Sequence, residues 1–401
     1  MSKEPFYPIK QLRIGFFTDS YLPYYSGVVH SILSFKKNLE KLNHKIFIFC
    51  PSYHNSKPEA GVFRFISFPA PTHRHFNLAF PFSFNIMATV RGLNLDLIHV
   101  HSPFLMGCLG AAVAKKNNLP LIFTYHTFYH HYLHYIPITP AIAFSFLRYW
   151  ERRFCNNCQL IIAPSASVKN HLLKQNILAP IKVLPTGIEL KEFQIPKVVN
   201  YYQNKYNLPQ NSKVLLTVSR LSKEKNIYFI LKVFSKLPAS IIKQCYLFII
   251  GEGPEKEKLQ NYSKQMLYNS HIYFTGTVSR KELVDHYINA DIFIFSSPSE
   301  TQGLVICEAK AAGLPVVALR ASGVTEAIDN GKDGFLIEPL DENSFMQKIL
   351  LLLSDYKLRE RFSHEAKKKS VSFSAQQRAI QLQNYYLELL QSSSFNIAAY
   401  H

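Results

Sequence analysis

The chain has 401 residues, 47% hydrophobic and 14% aromatic, which at roughly 150 residues per domain predicts two or three folded domains and excludes a disordered chain. It carries 45 Lys and Arg against 27 Asp and Glu, a net charge of +18 with His neutral, and the surplus is uneven: residues 1–200 hold 21 basic and 8 acidic side chains, residues 201–401 hold 24 and 19. Such a basic, aromatic first half, which also holds 12 of the 16 His, fits an anionic partner, either membrane headgroups or nucleic acid.

In chain order the first half alternates short apolar runs with helical spacing. "LRIGFFTD" (12–19) predicts a strand, residues 27–42 a helix, "HKIFIFCP" (44–51) and "LDLIHVHSP" (95–103) strands, and residues 105–116 a helix of small residues. The strand "PLIFTYHT" (120–127), a long aromatic helical stretch to about Cys155, and the strands "CQLIIAPS" (158–165) and "IKVLPTGIE" (181–189) follow. The segment "FQIPKVVNYYQNKYNLPQNSK" then reads as a linker. The pattern restarts with "KVLLTVSRL" (213–221), "CYLFIIGEGP" (245–254), "IYFTGTV" (272–278), "ADIFIFSSP" (290–298), "PVVALR" (315–320) and "DGFLIEP" (333–339), each separated by a helix. From Ser344 the signal is helical only, ending in a Ser-rich tail expected to be disordered. Buried strands alternating with helices predict two parallel α/β domains, whose ligands bind at strand carboxyl ends.

The chemistry concentrates in "SSPSETQGLVICEAKAAGLPVVA" (296–318). A strand ends, Glu300 sits in a loop, and Gly303 opens a helix bearing Glu308, so two carboxylates bracket a helix N-terminus. Free N–H groups at Gly303 and Leu304 suit phosphate, whereas carboxylates repel phosphate and accept from hydroxyls. Together they suit a nucleotide sugar, with Glu308 on the ribose diol and Glu300 on the sugar hydroxyls; exposed acids on an ordinary strand-loop-helix unit would give the same spacing. "SRLSKEKN" (219–226) places Arg220 and Lys225 at another strand end, two cations able to neutralise a leaving diphosphate. No Asp-x-Asp pair of the type that holds a divalent cation occurs in the chain, so no metal and no other cofactor is expected. Gly27, in the turn "TDSYLPYYSGVVHS" (18–31), lets the backbone approach a phosphate or sugar closely. A G-x-G-x-x-G fingerprint is missing from that turn, which argues against a dehydrogenase.

Together these motifs resemble the retaining family-four glycosyltransferases of the GT-B fold, and the resemblance covers nearly the whole chain: "SGV", "TYHT", "PTGIE", "SRLSKEKN", "GEGP" and "SETQGLVICEAKAAGLPVV". "LDLIHVHSPFLMG", "FTYHTFYHHYLHYIP" and "CNNCQLIIAPSASVKNHL" are similar, more narrowly, to bacterial diacylglycerol glucosyltransferases. The resemblance implies an α/β fold of two Rossmann-like, doubly wound domains facing a cleft, with the C-terminal helix packing back on the first. The expected boundaries are 1–195 for an acceptor- and membrane-facing domain, 196–375 for the nucleotide-sugar domain, 376–392 for the returning helix and 393–401 for a tail. It also implies that His126 lies near sugar and acceptor, that Arg220 and Lys225 contact the diphosphate, and that the acceptor hydroxyl attacks from the leaving-group side with retention. Where the family pairs two glycines in the first loop, Ser26 stands in place of the first.

His126, His130 and His134 at i, i+4 spacing on a helix could bind zinc, but the interleaved Tyr and Phe fit an acceptor-lining or interfacial surface better. Tyr129 and His130 there, and Arg74 and Phe76 in a membrane-facing loop over 70–87, are the acceptor or membrane candidates. Six cysteines, with Cys155 and Cys158 as the lone CxxC, fit a reducing compartment rather than a disulfide framework. The apolar run 104–114 is far short of the about 20 residues of a spanning helix, so membrane association is expected to be peripheral, on the cytoplasmic face. The function expected is transfer of a hexose, glucose foremost, from a UDP-sugar to a lipid such as 1,2-diacylglycerol at an anionic membrane, without nucleic acid. A soluble or polyprenyl-linked acceptor is the nearest rival, followed by a nucleotide-sugar epimerase and a basic nucleic-acid-binding module.

Overall fold

The computed structural model describes residues 10–54, 56–70, 73–82, 86–129 and 140–398, with backbone alone at 73–75, 140–141 and 393–398. The chain divides into two units, one running through Gly187 and resuming at Ala375, the other Ile188–Ser374. The division thus falls before the 195/196 boundary read from the sequence.

In the first unit the strands are β1 (Arg13–Phe17), β2 (Lys45–Pro51), β3 (Val62–Phe65), β4 (Ser67–Ala70), β5 (His73–Ala79), β6 (Leu97–Val100), β7 (Leu121–Thr124), β8 (Leu160–Ala163) and β9 (Ile181–Val183). Seven of them form a parallel sheet in the order β3-β2-β1-β6-β7-β8-β9. Alternation explains its two cores. Ile14, Phe16, Ile48 and Ile122 point to one face, where helix Gly27–Lys41 lays Val29, Ile32, Phe35 and Leu39 and the terminal helix lays Ala379, Leu382 and Tyr386. Phe17, Phe49, Val100 and Phe123 point to the other, under Met106 and Val113 of helix Leu105–Lys116 and Phe154 of helix Pro140–Asn156.

β4 and β5 pair antiparallel as a hairpin, so part of the segment expected as a loop over 70–87 is the strand His73–Ala79, and its last residues open the helix Ile86–Leu93. The terminal helix runs Ala375–Ala398, past the 376–392 limit and through much of the expected tail, because a helix nucleated on a packed face extends at little cost through residues that tolerate it. It packs against helix Gly27–Lys41 of its own unit, and His44 locks the contact. The Leu12 N–H donates to His44 Nδ1 (3.1 Å), which leaves Nε2–H to donate to Gln383 Oε1 (2.8 Å).

The second unit holds β10 (Lys213–Val218), β11 (Cys245–Ile250), β12 (Ile272–Gly276), β13 (Ile292–Phe295), β14 (Val316–Leu319) and β15 (Gly334–Ile337), a parallel sheet in the order β12-β11-β10-β13-β14-β15. The supposed linker belongs to it. Helix Tyr201–Tyr206 buries Tyr202 on the sheet, 4.6 Å from the Phe248 ring, and the Tyr202 hydroxyl donates to the His286 carbonyl (3.0 Å). The unit's two ends lie side by side, since Ile188 bridges Ser374 and its N–H donates to the Phe373 carbonyl (2.8 Å).

Candidate active site

Neighbours β10 and β13 lead in opposite directions, to β11 and to β14, so the sheet reverses its winding between them. The loops leaving two such strands diverge and open a crevice at their carboxyl ends. Those loops carry the predicted residues. Arg220 and Lys225 follow β10, and Glu300 and Gly303 follow β13. Ser296 Oγ donates to the carbonyls of Lys225 and Asn226 (both 2.9 Å) and Ser297 Oγ to that of Glu224 (3.1 Å), lacing the two loops together. Lys225 and Glu300 form an ion pair.

The "GEGP" turn presses on the Arg220 loop from behind. A Cβ on Gly251 would lie 1.9 Å from the Ser219 carbonyl oxygen, and one on Gly253 would lie 2.2 Å from that of Leu221. Only glycine permits this approach, and hydrogen bonds from Leu221 N–H to Glu252 O (2.9 Å) and from Glu255 N–H to Leu221 O (3.0 Å) hold it. Arg220 Nη2 is buried and has no hydrogen-bond partner among the described residues.

Gly303 adopts the left-handed conformation (φ 72°, ψ 51°) and opens helix Leu304–Ala311 with no side-chain cap. That helix start therefore presents unsatisfied N–H groups and the positive end of its dipole. By contrast, the helix beginning at Gly27 is capped by Ser26, whose Oγ accepts from Val29 N–H (3.3 Å). A Cβ on Gly27 would meet nothing within 4 Å, so the space beside it is open.

Glu308 is buried one turn into the helix, and two residues invisible to motif reading hold it. Arg280 Nη1 lies 2.5 Å from Oε1, and the Tyr287 hydroxyl donates to Oε2 at 3.1 Å. Burial works against the Arg280 charge, but Glu308 and Glu192 outweigh it and raise the guanidinium above its ordinary value. Further along the helix the buried Lys310 and Asp333 pair at 2.5 Å, and burial pulls the Lys310 ammonium down to about 8.

In the first unit, His126 stands in a loop after β7, which ends at Thr124, short of the 120–127 span expected for the strand. Its ring belongs to a stack, His99 to His101 at 4.4 Å and His101 to His126 at 5.3 Å, with Phe16 edge-on to the first two. This stack holds His126 just beyond the strand end. His101 Nδ1 and His126 Nε2 share a hydrogen bond of 3.0 Å, and His99 bridges the Tyr386 hydroxyl and Thr124 Oγ1, both at 2.6 Å. Burial lowers all three imidazoles, His99 and His126 to about 3, so at neutral pH the His126 ring is uncharged. Asp19, at the end of β1, accepts from Ser102 Oγ and from Met106 N–H (2.9 Å), tying the loops after β1 and β6 together where this sheet too reverses.

Phe76 lies in β5 with its ring 5.6 Å from that of Tyr24, and Tyr129 packs edge-on to Phe104 at 5.0 Å. Arg74 is in the same strand with its side chain outside the described residues, as are His130 and His134 entirely. Among the described residues no group of three His, Cys, Asp or Glu is placed to hold a metal ion, and Cys155 and Cys158 are buried free thiols.

Two parallel α/β units, one carrying cations, carboxylates and an uncapped helix start at its topological switch point, have the architecture of GT-B glycosyltransferases. Residues 25–192 match Glycosyltransferase Family 4, and residues 200–369 match Glycosyl transferases group 1. An α-monoglucosyldiacylglycerol synthase of Streptococcus pneumoniae is 31% identical over 96% of this chain and 87% of its own, and one of Acholeplasma laidlawii is 31% identical over 82% and 86%. Among solved structures, the sucrose-phosphate synthase of Thermosynechococcus elongatus superposes with a TM-score of 0.78 at 18% identity, covering 95% of this chain and 100% of that one. Anabaena HepE in complex with UDP gives 0.75, also at 18%, covering 94% and 100%. The chain belongs to the family-four glycosyltransferases of the GT-B fold, and it is an enzyme of glycosyl transfer.

Proposed function

We propose that the protein transfers glucose from UDP-glucose to a membrane lipid, 1,2-diacylglycerol or a close relative, with retention of configuration and without a metal, bound peripherally to the cytoplasmic face of an anionic membrane. The observation that carries this reading is the near full-length likeness to two monoglucosyldiacylglycerol synthases. The first unit's exposed Ile66, Phe68, Leu78, Phe80 and Phe82, and Phe144, Phe146 and Tyr149 on a helix with exposed Arg148, Arg152 and Arg153, support a lipid surface as partner. No helix among the described residues is long and apolar enough to cross a membrane.

In this reading the bond from the sugar C1 to the diphosphate oxygen breaks while the acceptor oxygen bonds C1 on the same face, and the acceptor proton passes to the departing phosphate. Arg220, Lys225 and the N–H groups at Gly303 and Leu304 stabilise the charge that develops on the diphosphate. Donor binding separates Lys225 from Glu300, sending the ammonium to phosphate and the carboxylate to a sugar hydroxyl. Glu308 accepts from the ribose, and neutral His126 serves the sugar and acceptor side.

The test is product analysis with the full chain, a panel of UDP- and GDP-sugars, and anionic vesicles containing diacylglycerol. An α-linked glucolipid formed from UDP-glucose, undiminished by chelator, is the expected product. Sugar transfer only to a soluble or polyprenyl-linked acceptor favours that rival, and loss of turnover restored by magnesium or manganese alone overturns metal independence.

A further inference from the structure

Arg280 is the one charged group that meets Glu308 in the described structure, and it is itself held in place. Its Nε and Nη2 both lie 2.8 Å from Glu192 Oε2, and its guanidinium carbon stands 5.5 Å from the Phe193 ring centre. Anchored this way, it reaches Glu308 Oε1 with Nη1 at 2.5 Å, while Tyr287 reaches Oε2 at 3.1 Å. Each carboxylate oxygen has two lone-pair directions. The two donors occupy one on each oxygen, leave one on each, and fix where the remaining pair points. A vicinal diol offers two O–H donors at matching separation. We propose that Arg280 is a positioning residue for nucleotide selection: by supplying the countercharge a buried carboxylate needs and by fixing its rotation, it makes Glu308 a two-point acceptor for a ribose diol, so that the site prefers ribonucleotide donors to their deoxy counterparts. The inference rests on the reading that Glu308 faces the ribose.

The test is calorimetric binding of UDP and 2′-deoxy-UDP to the full chain, in wild type, Arg280→Gln, Arg280→Lys and Tyr287→Phe. Wild type is expected to prefer UDP by roughly tenfold or more, the scale of a hydrogen bond to a charged group. Arg280→Gln should weaken UDP far more than 2′-deoxy-UDP and bring the preference close to one. Arg280→Lys, which keeps the charge without the fork, and Tyr287→Phe, which removes one donor only, should each retain part of it. If Arg280 instead touches the nucleotide directly, both ligands weaken equally and the wild-type ratio survives, which overturns the proposal. A ratio unchanged in all three variants also overturns it. A wild type with no preference sinks the Glu308 reading itself and the proposal with it. Should Arg280→Gln not fold, the Lys and Phe variants carry the same comparison.

Discussion

Glu151 shows how one residue can break the pattern of its element without breaking the element. Helix Pro140–Asn156 turns Ala143, Leu147, Glu151, Phe154 and Cys155 inward, so a carboxyl occupies a position in the apolar stripe. Its partner is the Tyr125 hydroxyl, which donates at 2.8 Å, and burial raises the carboxyl from 4.5 to about 7 despite that bond. The folded state therefore keeps the proton where the unfolded chain has lost it. The stabilisation is complete below the unfolded value of 4.5 and is lost as pH rises toward 7. The full swing is on the order of 3 kcal/mol. Glu151→Gln, which still accepts from Tyr125, should flatten this dependence and melt above wild type at pH values beyond the folded one. Thermal unfolding across that window checks it, and parallel curves for the two proteins would refute the assignment.

At the scale of elements, two glycines that look alike in the sequence should behave in opposite ways. Gly251→Ala forces a methyl into the Ser219 carbonyl at a φ of 138°, so it should lower the melting temperature and weaken UDP roughly tenfold or more by displacing Arg220, a strain of 1–3 kcal/mol being about the least expected. Gly27→Ala faces open space in a helical conformation. It should melt at or slightly above wild type while turnover falls, because the methyl fills the space kept for donor or acceptor. Unchanged turnover in Gly27→Ala would take that residue out of the site. The hairpin makes a further prediction. Phe68, Phe80 and Phe82 are exposed, and burying such a ring is worth roughly 1.5–3 kcal/mol, so each Phe→Ser change should weaken flotation with anionic vesicles about tenfold, more visibly at high salt, and leave UDP affinity in place. Vesicle binding indifferent to all three changes would contradict a membrane role for the hairpin.

The same elements show where sequence reading succeeds and where it stops. Runs such as "KVLLTV" and "CYLFII" are legible because both faces of these strands are covered, which leaves an unbroken apolar signature. The hairpin was hidden by Pro69 and Pro71 and by its exposed apolar face, which together blur the period of two. Helix Tyr201–Tyr206 was hidden by polar neighbours and by left-handed Asn200 and Asn207 at its ends; only packing of Tyr202 on Phe248 makes it part of a domain. Motif spacing located Arg220, Lys225, Glu300, Gly303 and Glu308 on adjoining loops and one helix. It could not locate Arg280, whose partner stands 28 positions away and which reads locally as the charged start of an ordinary helix.

For the whole molecule, the terminal helix is the piece whose loss is easiest to read. Leu382 and Tyr386 are fully buried against the first unit's sheet and helix Gly27–Lys41, and Tyr386 also holds His99. Deleting the segment from Ala375 should cost the first unit on the order of 5 kcal/mol, a large share of a domain's stability, while Ile188–Ser374 keeps its melting transition and its affinity for UDP. Calorimetry of the truncated and full chains distinguishes this from a single cooperative unit, in which both transitions would fall together.

The bridge between Ile188 and Ser374 bears on how the chain is made. During synthesis everything through Gly187 leaves the ribosome first, yet the last helix of that unit emerges only after all of Ile188–Ser374. The first unit must therefore wait with the part of its sheet and of helix Gly27–Lys41 that Ala379, Leu382 and Tyr386 cover left bare, exposed to chaperones or to wrong partners. Once the intervening segment folds, its joined ends turn a long intervening chain into a short tether. At about 0.6 kcal/mol for each halving of loop length, that lowers the cost of bringing the final helix home by roughly 2–3 kcal/mol. The second unit should thus aid the folding of its neighbour, and ribosome-stalled chains ending shortly after Ser374 should contain a finished second unit beside an unfinished first one.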